Sequence, residues 1–229
     1  MAIGALALTL AAFIPEYRQF AHGTFPISAF LQVHSAIMVA WVLAFVAQAW
    51  FIARGRVQLH RKFGQAAFVL AVVSWLSMIT VEMHSLAVHP PPATPGTFDW
   101  MLPGPYVYLT IPVLLAWGYR DRRRPDWHKR FMIIALYLSL QAAIIRYMWL
   151  PDGYGFWPFV GFLDACLLVP LFGYDFLTNA RRLHPATIRG SALLVGAQAL
   201  LLSLWGTTYW RHFAAIVEGA MWRQWGPGN

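Results

Sequence analysis

Apolar residues dominate six stretches of the chain, at roughly 29–53, 63–87, 105–119, 131–149, 158–178 and 188–210. A helix needs about 17–25 predominantly apolar residues to cross a hydrocarbon core about 30 Å thick. The third stretch reaches that length if it begins near Trp100. None of them alternates apolar and polar positions as a barrel strand does. A further stretch, "AIGALALTLAAFI" at 2–14, holds only 13 residues and either crosses or lies in the interface. The pattern predicts an all-α polytopic transmembrane bundle of six or seven spans, one integral membrane domain over 1–229. Seven is preferred. The basic loops require 29–53 to run inward, and a crossing 2–14 then starts on the inner side.

The polar segments between these runs fall into two kinds. Three are short and basic, at 54–62, 120–130 and 180–189. They carry Arg54, Arg56, Arg61 and Lys62, then Arg120, Arg122, Arg123, Arg124, Lys129 and Arg130, then Arg181, Arg182 and Arg189. Thirteen of the 17 Lys and Arg thus sit in three loops. The positive-inside rule makes those loops cytoplasmic and the setting a bacterial inner membrane. The net charge of +8 is therefore explained by topology and anionic lipid, and nucleic acid is not an expected partner.

The outer segments are 15–28, 88–104, 150–157 and the tail after 210. "VHPPPATPGTFDWMLPG" at 88–104 carries five prolines and predicts a stiff connector. The tail 211–225 aligns Phe213, Ile216, Val217, Ala220 and Met221 on one helical face, beside Trp222 and Trp225. It reads as an interfacial amphipathic helix. Pro112 and Pro170 are expected to kink their helices. Composition agrees with a membrane chain: 59% hydrophobic, 11% charged, mean hydropathy +0.52, with 12 Trp and 9 Tyr to line the headgroups. Cys166 is the only cysteine, which excludes an intrachain disulfide. The start of the chain carries no basic n-region, so a cleaved signal peptide is not expected.

Candidate chemistry lies in the ionisable groups of the spans, which are costly there and functional by default. The outer layer holds His34, Glu82, His84, Arg146 and Asp164. Arg146 is expected to pair with Asp164 or Glu82. The inner layer holds His60, His128, His184 and Asp175. "LHRKFG" at 59–64, "WHKRFM" at 127–132 and "LHPATI" at 183–188 each open an outward-running helix with a histidine. Neutral imidazole ligates haem iron, zinc and copper. Bis-histidine haem b needs two His at one depth on facing helices. Two pairs meet that condition on paper, His34 with His84 and His60 with His128, with Arg146 and the inner cations beside the haem propionates. The inner His60, His128 and His184 with Asp175 form an alternative set for one transition metal ion. The simpler reading is interfacial anchoring, with each histidine touching lipid phosphate.

"VHSAIMVAWVLAFVAQAWFIARGRVQLHRKFG" at 33–64, with "DWHKRFM" at 126–132 and "YDFLTNARRLHPAT" at 174–187, resembles a family of bacterial multi-pass inner-membrane proteins. Its His-basic helix mouths correspond here to His34, Trp41, Gln48, His60, Arg61 and Gly64. No activity carries over from that resemblance. More broadly the chain is similar to membrane proteins of haem-copper oxidase biogenesis and to di-haem membrane cytochromes b. The latter resemblance implies haem b and electron transfer to a quinone or metal. The expected function is therefore a redox-linked membrane protein binding haem b or a metal. The alternative is a cofactor-free accessory or assembly subunit of a larger respiratory or photosynthetic membrane complex.

Overall fold

A computed structural model describes residues 1–23, 27–88, 103–144, 156–204 and 207–225. The described residues form helices joined by short turns, without a strand. The order is α1 (Ala2–Ala21), α2 (Ala29–Ala53), α3 (Val57–Val88), α4 (Pro103–Arg120), α5 (Pro125–Ser139), α6 (Gln141–Ile144), α7 (Phe156–Thr178), α8 (Pro185–Leu204) and α9 (Thr208–Trp225). Three helices, Ala29–Ala53, Val57–His84 and Pro185–Leu204, are long and apolar enough to cross a membrane. Their outward faces carry Leu43, Trp50, Val69, Val73, Leu76, Val195 and Leu200, all exposed. A continuous apolar exterior of this kind suits lipid and not water.

The basic loops are tighter than the sequence pattern predicts. Gly55 adopts φ +68°, a left-handed conformation that only glycine takes without strain, and lets α3 restart at Val57. His60, Arg61 and Lys62 therefore lie in the first turns of α3. The second loop contracts to residues 121–124 because Pro125 occupies the first position of α5, where its missing N–H costs nothing. The third turns through Ala180 (φ 48°) and Arg181 (φ 60°), and Pro185 opens α8. The Arg181 N–H donates to the Phe176 carbonyl at 3.2 Å and so holds this turn.

Two further boundaries differ from expectation. Residues 15–21, expected in an outer loop, continue α1 through Pro15 to Ala21, and α1 packs against α2. The stretch 131–149, expected as one span, breaks at Leu140 after α5. At that break the Ser139 hydroxyl donates to the Leu136 carbonyl at 2.7 Å, and the Trp41 indole N–H donates to Ser139 at 3.3 Å. Gln141 donates to the Tyr106 hydroxyl. These side chains compete with the helical ladder for backbone groups and give the break polar partners. Helices α4 and α7 run on through Pro112 and Pro170.

The core is built around α4 and α5. Leu114, Phe131, Ile134, Leu171 and Ala186 are fully buried and join α4, α5, α7 and α8. The α5–α8 approach depends on Gly190, where an added Cβ would overlap the Ile134 Cδ1. At α9, Trp210 and Ala214 are buried, while Tyr209, Phe213 and Ile216 stay exposed. The tail thus packs on α3 and keeps part of its expected apolar face outward.

Candidate functional site

The histidine-bearing starts of α3, α5 and α8 meet at one end of the bundle. The His60 and His128 rings lie 6.2 Å apart, edge to face. Trp127 stands between its neighbour His128 and α8, with its ring 5.5 Å from that of His184. Tight turns and Pro-initiated helices put each histidine within the first turn or the preceding cap of its helix.

The imidazoles differ in what their nitrogens are free to do. The Nδ1 of His128 lies 2.8 Å from the Gly118 carbonyl oxygen. A carbonyl only accepts, so Nδ1 carries the proton and the neutral ring keeps its lone pair on Nε2. A ligating histidine is normally oriented in this way, by donating its other N–H to a carbonyl or carboxylate. The Nδ1 of His60 is buried without a hydrogen-bond partner. So is the Oε1 of Gln48, 3.8 Å from where a Cβ on Gly64 would stand, one turn along α3 from His60. With metal–nitrogen bonds of about 2.0–2.1 Å, two imidazole centroids flanking one ion stand about 5–6.5 Å apart.

His184 and Asp175 are engaged otherwise. The Nδ1 of His184 accepts the Ala186 N–H at 3.1 Å, which leaves no lone pair on the neutral ring. Burial, and then the Arg130 charge, hold the His184 pKa below its ordinary value. Both oxygens of Asp175 are taken. Oδ1 accepts from Arg130 Nε at 2.8 Å and Nη2 at 2.5 Å. Oδ2 accepts from the His184 N–H at 2.9 Å and the Thr187 hydroxyl at 2.5 Å. Arg130 and Asp175 are both buried, and this clasp ties α5 to α7 and to the cap of α8. Among the described residues, no group of three or more His, Cys, Asp or Glu side chains is placed to hold a metal ion together.

The clasp extends to the surface. Arg130 Nη1 donates to the Asp126 carbonyl at 2.7 Å, and Lys129 donates to the Asp126 carboxylate at 2.7 Å and to the Tyr174 hydroxyl at 3.0 Å. The Lys129 hydrogen bond holds the Asp126 carboxyl below its usual range. Sequence patterning placed Arg130 among the cations of the second basic loop and Asp175 among candidate metal ligands. The signal available was an aspartate inside an apolar run, which needs a cation at its own depth.

The outer pair is not brought to one level. The Nδ1 of His34 meets the Ser77 hydroxyl at 2.6 Å, while the His84 ring packs 4.7 Å from Phe30. His84 is seven residues beyond Ser77 on α3, an axial offset of about 10 Å at 1.5 Å per residue. Glu82 accepts from the Tyr108 hydroxyl at 3.5 Å. Arg146 and the segments 89–102 and 145–155 lie outside the described residues, as does the Asp164 side chain. The expected Arg146 pairing and the proline-rich connector fall there.

No family model matches the chain, and no curated protein or solved structure matches it either.

Proposed function

We propose that the protein is a multi-pass inner-membrane protein of bacterial type whose redox-linked site is the His60/His128 pair. The pair would hold one transition metal ion or the iron of haem b, and electron transfer or reduction of a quinone or metal would follow from it. The observation that carries this reading is the preparation of the pair. Two imidazole rings stand 6.2 Å apart, edge to face, one with Nε2 set free by the Gly118 carbonyl and the other with a buried, unpartnered Nδ1. An interfacial anchor needs neither feature. A buried imidazole nitrogen without a partner costs about 1–3 kcal/mol unless something bonds to it.

The six- or seven-span topology belongs to the same proposal, with the loops at 54–62, 120–130 and 180–189 in the cytoplasm. It is supported by the gathering of the three basic helix mouths at one end, through the His60–His128 and Trp127–His184 ring contacts. The test is an air-oxidised against dithionite-reduced absorbance spectrum of gently solubilised protein, with metal analysis on the same sample. Reduced bands or about one metal per chain, lost in His60→Ala and in His128→Ala, is the expected result. A featureless spectrum with only trace metal refutes the reading. His34→Ala and His84→Ala in the same assay report on the outer pair.

One observation favours the accessory-subunit alternative. Helix α9 leaves Tyr209, Phe213 and Ile216 exposed by 84%, 55% and 66%, a face suited to a membrane partner as well as to lipid. Co-purification of a larger complex that Phe213→Glu disrupts, from protein without bound metal or haem, supports this alternative.

A further inference from the structure

The cationic rim is more ordered than a topology signal requires. Two indoles each carry two guanidinium groups. The Arg124 guanidinium lies 4.6 Å from the Trp127 ring centroid and that of Arg189 lies 4.9 Å from it. Arg54 and Arg56 stand 5.5 Å and 5.2 Å from the Trp50 centroid. The first cluster joins two helices, since Arg124 and Trp127 flank the start of α5 and Arg189 belongs to the first turns of α8. Among the described residues neither Arg54, Arg56 nor Arg189 has a carboxylate partner. Arg124 has Asp121 alone, a buried carboxylate 3.9 Å away that it shares with Arg120 at 3.1 Å. Like charges do not gather without a reason, and for Arg54, Arg56 and Arg189 no carboxylate supplies it.

A guanidinium stacked on an indole uses its face and keeps its N–H edge for a planar, bidentate acceptor. Phosphate oxygens are such acceptors. Tryptophan also prefers the headgroup level of a bilayer. We infer that the Arg124–Trp127–Arg189 cluster binds the phosphate of an anionic phospholipid headgroup, bridging the starts of α5 and α8. Lipid is favoured over a free anion because the cluster crowns α8, whose outward face carries exposed Ile188, Val195 and Leu200, so acyl chains continue down the surface that the headgroup marks. The inference stands whether or not His60 and His128 hold a metal.

The test uses the full chain in mild detergent, titrated with phosphatidylglycerol and in parallel with phosphatidylcholine, and read by native mass spectrometry. Phosphatidylglycerol is expected to bind more tightly than phosphatidylcholine. R124Q/R189Q is expected to weaken it about thirty-fold, from two cations near the surface. R181Q/R182Q makes the same change in charge at exposed arginines outside the cluster and is expected to weaken it less, because neither guanidinium belongs to the indole-stacked pair. Equal losses in the two double variants overturn the inference, and so does equal binding of the two lipids. Displacement of phosphatidylglycerol by about 10 mM inorganic phosphate also overturns it, because the site then reads free anion. If R124Q/R189Q does not fold, R124K/R189K replaces it. That variant keeps both charges and loses both planar forks, so a several-fold loss is expected and unchanged affinity refutes the inference.

Discussion

Asp175→Ala isolates the buried clasp. In the folded protein one fully buried carboxylate accepts four hydrogen bonds, two from Arg130, one from the His184 N–H and one from Thr187. Arg130 is equally enclosed, with its side chain 3% exposed. Removing the carboxylate leaves that guanidinium with the Asp126 carbonyl and with an Asp126 carboxylate at 3.5 Å, itself 66% exposed. Breaking a buried pair by deleting one partner costs about 3–5 kcal/mol, because an uncompensated charge stays inside. Summing four orphaned donors at about 1–3 kcal/mol each would overshoot, since donors relax toward water and their losses do not add. The expected loss for Asp175→Ala is therefore about 3–5 kcal/mol. Asp175→Asn keeps one acceptor oxygen but turns an NH2 toward donors on either side, so about 2–3 kcal/mol is expected. Equilibrium unfolding in mixed micelles with rising dodecyl sulfate, followed by the fluorescence of the 12 tryptophans, measures both. R130M/D175L removes both charges and is expected to recover most of the loss, as apolar replacement of a buried pair often does. A change below about 1 kcal/mol in Asp175→Ala, or a double variant no better than the single, refutes the reasoning.

Other outcomes follow from single contacts. Gly190→Ala forces a Cβ against the fully buried Ile134 and is expected to destabilise by about 1–3 kcal/mol in the same assay, with Ile134→Val relieving part of it. The lowered His184 pKa means the unfolded chain binds that proton more readily. Stability from this group is complete above the ordinary value of 6.5 and is lost as pH falls below it toward the depressed value. Unfolding midpoints between pH 7.5 and 5 should fall in the parent and fall less steeply in His184→Gln, and parallel curves would refute the assignment. Gly118 is bonded through its carbonyl to His128, so any metal or haem signal from the inner pair should weaken in His128→Gln without loss of fold, as judged by circular dichroism.

Helix content and the basic mouths were legible in the sequence because each is local. The turn signals at Gly55, Pro125 and Pro185 are equally local, but a reading by apolar runs passed over them and drew the basic loops longer than they are. The inner histidines were legible for the same reason, since each lies next to its own cations. The partnerships were not. Arg130 and Asp175 are 45 residues apart, and nothing local distinguishes Arg130 from the other arginines of its loop. Only the packing of α5 against α7 and α8 buries it beside a carboxylate and engages both oxygens of Asp175. The same packing separates the roles of three similar histidines. His128 is turned by a carbonyl on α4, His184 is turned by its own cap, and His60 is left with a buried nitrogen unbonded. The break at Leu140 also has a tertiary cause, because its polar side chains find partners on α2 and α4, which lie far away in sequence. Sequence thus determined that the chain is helical and where the cations cluster. Tertiary structure decided which charges are neutralised, which imidazole nitrogens are free, and which arginines share an indole. Those depend on distances between segments that the order of residues does not encode locally.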